Sequence, residues 1–105
     1  MSAPEPDHVL NQYPGDWRCG RIESLGGAGG FSGAQFWRIT VGDQHLCLRR
    51  WPASHPDRPK LAEIHQLLWF AHNEGLAYLP VPWPSRHGPT IVEAGGHLWE
   101  LSHWL

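Results

Sequence analysis

Five glycines fall within the eight positions from Gly26 to Gly33, and a strand-like run follows them immediately. Such a loop is costly to order, because glycine loses more backbone freedom on folding than any other residue. Residues 21–25 before the loop form a short strand pattern, and residues 35–41 after it alternate between two faces. The segment therefore predicts a glycine-rich hairpin loop between two strands rather than a linker.

Two helices are predicted, and they lie on either side of the first three strands. The first covers residues 7–13, with Asp7 as its N-cap. The second covers residues 59–74 and ends at Gly75. Apolar residues recur along the second helix at helical spacing and are expected to face inward: Leu61, Ile64, Leu68 and Ala71, with Leu67 beside them.

Three more strands are predicted over 45–51, 90–94 and 97–104, and Gly95-Gly96 is a hairpin signal between the last two. The prolines of residues 78–84 exclude a central strand there, so an extended crossing is expected instead. The predicted fold is α+β: a five-stranded, mostly antiparallel sheet with one main helix between the third and fourth strands and a short N-terminal helix.

The composition indicates one small folded domain of 105 residues, with 41% apolar and 17% charged residues. The formal charge of −2 offers no basic field, so no nucleic-acid partner is expected. No run approaches about 18 apolar residues and the N-terminus lacks a signal core, so we expect no membrane contact and a cytoplasmic location. The spacing of Cys19 and Cys47 fits no metal-binding motif, so both are predicted to be reduced thiols.

Three phosphate-binding loops can be compared with the glycine segment. The Walker loop needs a Gly-Lys-Ser/Thr end, and Lys60 is the only lysine in the chain. The dinucleotide fingerprint fits Gly27 and Gly29, but Ser32 replaces its third glycine and a strand follows instead of a helix. The kinase-type loop, a hairpin that covers phosphates with backbone N–H groups, matches the context. A glycine-rich hairpin without a ligand remains an equal alternative on the loop alone.

The next strand bears on that choice, because a kinase-type site needs a cation on the third strand. Alternation places the small Cys47 and the cationic Arg49 on one face of this strand. The alternative is that Arg49 is an ordinary solvated arginine. The following helix should supply an acid that holds the cation, and Glu63 is the only carboxylate in its first half.

In their order and spacing, several segments resemble the N-terminal lobe of the aminoglycoside phosphotransferase and choline kinase-like family, which has the protein kinase-like fold. They are "LGGAGGFSGAQFWRI", "HLCLRRW", "LAEIHQLLWFAHNEG", "LPVPWP" and "GGHLWELSHWL", and together they extend from residue 21 to residue 105. The resemblance divides the chain into an N-terminal extension, 1–20, and a nucleotide-binding lobe, 21–105. It implies ATP as the cofactor.

The resemblance also implies roles for individual residues. The loop residues Gly27, Gly30, Phe31 and Ser32 would lie at the nucleotide phosphates. Arg49 would hold the phosphates from the third strand. Three side chains would cover the adenine, namely Leu25, Ala34 and Cys47. The backbone around Ser102 to Trp104 would form the adenine-facing hinge.

Two departures from the family pattern affect the function. Aligning the apolar pair Leu67-Leu68 with that of the family places Ile64, not Glu63, where the helical glutamate is usual. The catalytic H-x-D-x-x-x-x-N type motif and the metal-binding aspartate belong to a C-terminal lobe, and no D-x-x-x-x-N occurs in these residues. Because phosphoryl transfer depends on Mg²⁺ and its carboxylates, we expect no kinase activity from this chain alone. Magnesium binding would need the second lobe.

The histidines and tryptophans complete the candidate features. His65 and His72 lie about two turns apart on the helix, too far for one ion, so no metal site is expected. Trp37, Trp51, Trp69 and Trp99 fall within regular elements and are expected in the core or in a lobe contact. Trp83 and Trp104 are expected at an exposed interface. We expect the Trp99–Leu105 surface to contact a second lobe or to cause self-association.

Three functions follow from these observations. The first is the ATP-binding lobe of a small-molecule phosphotransferase, not catalytically complete by itself. The second is a stand-alone binding module that has the lobe fold without phosphotransfer activity. The third is a regulator that docks on a complete kinase through its open face.

Overall fold

The computed structural model describes residues 6–15, 17, 20–26, 34–54, 56–76 and 78–104. Its helices and strands follow the predicted order: α1 (Pro6–Leu10), β1 (Arg21–Gly26), β2 (Gln35–Val41), β3 (Gln44–Arg50), α2 (Arg58–Asn73), β4 (Val92–Ala94) and β5 (His97–His103). The predicted α+β class, with five antiparallel strands and the main helix between the third and fourth, is confirmed. α1 ends three residues before the predicted boundary, and β4 begins two residues after it.

The five strands form one sheet in the order β1-β2-β3-β5-β4, and every neighbouring pair is antiparallel. β5 therefore lies between β3 and β4. The β4–β5 turn uses Gly95 and Gly96, whose φ angles are 60° and 80°. A two-residue hairpin turn with both residues at positive φ matches the twist of the strands, which explains why two glycines stand there.

One face of the sheet, which we call the core face, carries the main hydrophobic core. Strand residues Ile39, Leu46, Leu48, Trp99 and Leu101 form this core together with side chains from the N-terminal segment: Val9, Leu10, Tyr13 and Trp17. The rings of Trp37 and Trp99 stack at 5.4 Å. Val9, Leu10, Tyr13 and Trp17 thus share one core with the sheet.

α2 lies on the opposite face, which we call the site face. Asp57 is the N-cap of the helix, and its carboxylate accepts a hydrogen bond from the Lys60 N–H at 2.9 Å. Its inward residues are Leu61 and His65, and the Trp69 indole donates to the Pro82 carbonyl at 3.0 Å.

The prediction that Ile64 and Leu67 face inward was wrong, because both side chains are exposed. The spacing of apolar residues fits two different helix rotations, since Phe70 extends the Ile64 and Leu67 side as well. The rotation that occurs brings the polar His65 to a buried partner on the sheet. Without His65, its buried partner on the sheet would lack a hydrogen bond, and an unpaired polar group in the interior costs free energy. We infer that avoiding this cost is worth more than burying one more leucine.

Residues 79–84, the crossing segment, run beside β5 on the same side as β4 and beyond the end of that strand. Pro82 forms an isolated bridge with Ser102, and the Trp83 N–H donates to the Leu101 carbonyl at 2.7 Å. The crossing therefore covers the part of β5 that the short β4 leaves unpaired. Strand-like pairing in this crossing is limited to the one bridge, as its prolines predict.

The Trp99–Leu105 segment, which was expected to contact a second lobe or to self-associate, offers little exposed surface at its first four residues. Trp99, Glu100, Leu101 and Ser102 are all buried, and Leu105 lies outside the described residues. Trp83 and Trp104 are partly buried rather than exposed. The most exposed large apolar side chains lie instead on α2 and just after it: Leu67, Phe70, Leu76 and Tyr78. No helix in the described part of the chain is long and apolar enough to cross a membrane.

Substituting Leu10 tests the joint core of the N-terminal segment and the sheet. Leu10 is 1% exposed, so we expect Leu10→Ala to lower the free energy of unfolding by about 2–5 kcal/mol. The matched control is Leu67→Ala, at a leucine that is 67% exposed, which should change stability by less than about 0.5 kcal/mol. Urea unfolding of both variants measures the difference, and equal losses would contradict the placement of this segment.

Candidate functional site

A cavity of about 270 Å³ opens on the site face of the sheet. Five of its lining residues are among those that the sequence singled out: Leu25, Cys47, Arg49, Ser102 and Trp104. Phe36, Pro80 and His103 complete the lining. Ala34 is buried but does not line the cavity, and Gly27, Gly30, Phe31 and Ser32 lie outside the described residues.

The register of the central strands explains why these residues meet. Cys47 lies opposite Ser102, and Arg49 lies opposite both Phe36 on β2 and Glu100 on β5. Side chains directly opposite each other in an antiparallel pair point to the same face of the sheet. Alternation along three strands therefore places Phe36, the cation and a carboxylate on the site face.

Arg49 is held by two rings and one carboxylate. Its guanidinium carbon lies 4.8 Å from the ring centroid of Phe36 and 4.9 Å from that of Trp51. Contacts of this kind contribute about 0.5–2 kcal/mol each, more when water is excluded. The nearest carboxylate oxygen, Oε2 of Glu100, is 3.8 Å from Nη1. With a side chain only 32% exposed, Arg49 is fixed at the cavity and is not an ordinary solvated arginine.

Glu100 connects several parts of the site face through its two oxygens. Its Oε1 accepts a hydrogen bond from the Trp51 indole at 2.7 Å and lies 3.2 Å from Nε2 of His65. Burial by itself would raise the pKa of Glu100. The hydrogen bonds from His65 and Trp51, together with the charge of Arg49, outweigh burial and hold this pKa below its usual range.

His65 attaches α2 to this carboxylate. Nε2 carries a proton, because an ionised carboxylate can only accept. Nδ1 lies 2.6 Å from the hydroxyl oxygen of Thr90, so in the neutral ring Nδ1 accepts the Thr90 proton. Both ring nitrogens thus have partners, which explains how a histidine can be buried to this extent in the helix–sheet interface.

Glu63 does not hold Arg49, contrary to the expectation from the helix. Its side chain is 70% exposed, and Oε2 lies 3.9 Å from Nζ of Lys60 on the same helix. The acid beside Arg49 is Glu100 on β5. Sequence reasoning missed Glu100 and His65, although a charged residue at the centre of the apolar strand pattern "LWELS" was a usable signal, since unpaired charges are rarely buried.

Cys47 is a free thiol on the cavity wall. Burial and the charge of Glu100 raise its pKa, and the charge of Arg49 opposes them with a smaller effect than burial. The neutral thiol is a weak nucleophile, so Cys47 serves as a small apolar wall residue. The second cysteine, Cys19, lies outside the described residues.

Comparisons with known proteins add no relative. No family model matches the chain, no curated protein matches it, and no solved structure matches it. Within the described residues, no group of three or more His, Cys, Asp or Glu side chains is arranged to hold a metal ion.

The decrease in the free energy of unfolding at acid pH tests whether Glu100 is charged in the folded protein. Its folded pKa lies below its unfolded value, so its contribution is complete above the unfolded pKa, about 4.3, and is lost as the pH falls through the folded pKa. We expect Glu100→Gln to lower the free energy of unfolding at pH 7 by about 1–3 kcal/mol. The difference from wild type should shrink below pH 4. Urea titrations between pH 3 and pH 7 measure it, and a constant difference would contradict the assignment.

Proposed function

We propose that the cavity binds a nucleotide of the ATP type, and that the chain is the nucleotide-binding N-terminal lobe of a small-molecule phosphotransferase. The observation that carries the proposal is the position of Arg49, a cation fixed at the edge of a cavity with largely apolar walls. Such a cavity suits a ligand with a flat apolar part and an anionic part. A nucleotide has both, in its base and its phosphates.

The dimensions and chemistry of the cavity support a base-sized ligand. Its volume of about 270 Å³ is close to the lower end of the range for small-molecule pockets, about 300–1,000 Å³. Leu25, Phe36 and Trp104 offer apolar or aromatic surface to a planar ring. The planar guanidinium of Arg49 carries several donors that match phosphate oxygens in pairs, so arginine is well suited to this role.

The proposed lobe supplies binding rather than complete catalysis. Phosphoryl transfer requires carboxylates that hold Mg²⁺ and a base that orients the acceptor. Among the described residues, the one carboxylate beside the cavity cation is Glu100, and three donors or charges already surround it. These residues therefore provide the nucleotide contacts and leave the metal and the acceptor to another part of a complete enzyme.

The alternative is a binding module with this fold that performs no phosphotransfer. The observation that favours it is the exposed apolar surface of α2, where Leu67 and Phe70 are among the most exposed large side chains. Nucleotide binding separates the two functions, because an interaction module has no need of an occupied cavity.

Titration with ADP tests the nucleotide proposal. Millimolar ADP should shift the backbone amide resonances of Cys47, Ser102 and Trp104, and Arg49→Gln should weaken the affinity about tenfold or more, since a charge-assisted contact is worth at least about 1.4 kcal/mol. Arg21→Gln is the matched control, because Arg21 is an exposed strand arginine away from the cavity. An absence of shifts at the cavity would refute nucleotide binding.

Turnover is a separate expectation. With ATP and Mg²⁺, a coupled assay for ADP release should show no activity above the buffer background, because carboxylates that could hold Mg²⁺ are not among the described residues that line the cavity. Sustained ADP release that depends on Arg49 would overturn the assignment of a binding lobe.

A further inference from the structure

We infer that Glu100 and His65 are positioning residues that hold Arg49 for phosphate binding, so that the placement of helix α2 controls the affinity of the cavity for phosphate. This inference rests on the proposed nucleotide function. Glu100 replaces the helical acid that the sequence led us to expect, and His65 provides the link to the helix.

The link consists of three consecutive contacts on the site face. The hydroxyl oxygen of Thr90 lies 2.6 Å from Nδ1 of His65, and Nε2 of His65 lies 3.2 Å from Oε1 of Glu100. The other oxygen of Glu100, Oε2, lies 3.8 Å from Nη1 of Arg49. His65 is 3% exposed and Glu100 is 6% exposed. Water therefore competes little with these contacts, and the low local dielectric strengthens them.

Glu100 orients Arg49 without using up its hydrogen-bond donors. Oε1 is occupied by Trp51 and His65, and the distance from Oε2 to Nη1 is longer than a hydrogen bond. The Nε atom of Arg49 is buried and has no hydrogen-bond partner in the described part of the chain. The guanidinium is thus held by charge and by two aromatic rings, which leaves its terminal Nη groups, unlike the buried Nε, to meet an anionic ligand.

His65 also lines a second cavity beside α2, and through Glu100 it connects that cavity to Arg49. The second cavity has a volume of about 550 Å³ and is lined by His65, Trp69, Phe70 and Ile91 among others. A helix shift of about 1–2 Å, typical of switching proteins, would separate Nε2 of His65 from Glu100. The carboxylate would then lose one of its two donors, and its hold on Arg49 would change.

Affinities for two ligands separate positioning from a purely structural role. ADP carries phosphates and adenosine does not, so loss of positioning should weaken ADP binding and leave adenosine binding unchanged. We expect Glu100→Gln and His65→Leu to weaken ADP binding about 3- to 10-fold. His65→Gln keeps an amide donor near the position of Nε2 and should restore most of the ADP affinity. Glu93→Gln is the control, because Glu93 is an exposed acid that pairs with Arg58.

Each other outcome overturns the inference. An equal loss of affinity for both ligands means that the residues only maintain the fold. A rise in ADP affinity in Glu100→Gln means that the carboxylate competes with phosphate. If His65→Leu does not fold, the near-isosteric Glu100→Gln and His65→Gln decide the result by the same criteria.

A ligand-free measurement keeps this inference distinct from the nucleotide proposal. If the wild-type chain binds neither ADP nor adenosine, the nucleotide proposal fails, and the Nε–Hε resonance of Arg49 becomes the test of positioning. A held guanidinium should give a sharp, slowly exchanging signal in wild type and His65→Gln, and an averaged signal in Glu100→Gln and His65→Leu. Identical signals in all four proteins would refute positioning.

Discussion

The buried carboxylate of Glu100 is the interaction on which the arrangement of the site face depends. Moving a carboxylate out of water costs several kcal/mol, and the cost is offset only where donors and an opposite charge surround it. Arg49 supplies the charge from β3, and Trp51, just after β3, and His65 on α2 supply the hydrogen bonds. One charge on β5 thus links the rotation of the helix to the orientation of the cation.

The two faces of the sheet therefore have different roles: the core face stabilises the fold, and the site face holds the charged residues. The core face buries Ile39, Leu48 and Trp99 against the N-terminal segment, and its apolar contacts provide most of the driving force for folding. The site face has a polar cluster at its centre and one main helix above it. A fold whose stability comes mainly from one face can keep a charged and partly open arrangement on the other face.

The sequence predicts the strands and the composition of the cavity better than the contacts of the helix. Strand alternation has a period of two, so the common face of Cys47 and Arg49 followed directly from their spacing. The helix has apolar residues on more than one side, and Ile64 and Leu61 satisfied the helical spacing equally well. Only the partner on the sheet distinguishes the two rotations, and sequence spacing does not reveal which acid of a distant strand will meet His65.

The neighbouring residues Arg49 and Arg50 show that strand alternation decides which side chain reaches the cavity. The two arginines are chemically identical neighbours, but alternation sends them to opposite faces of β3. Arg49 meets Phe36, Trp51 and Glu100 at the cavity, whereas the guanidinium of Arg50 lies 5.8 Å from the ring of Trp99 on the core face. A register slip of one residue would exchange the two environments. The pairing of β3 with β5 therefore determines which arginine faces the cavity, and that pairing depends on burying Leu46, Leu48 and Leu101 together.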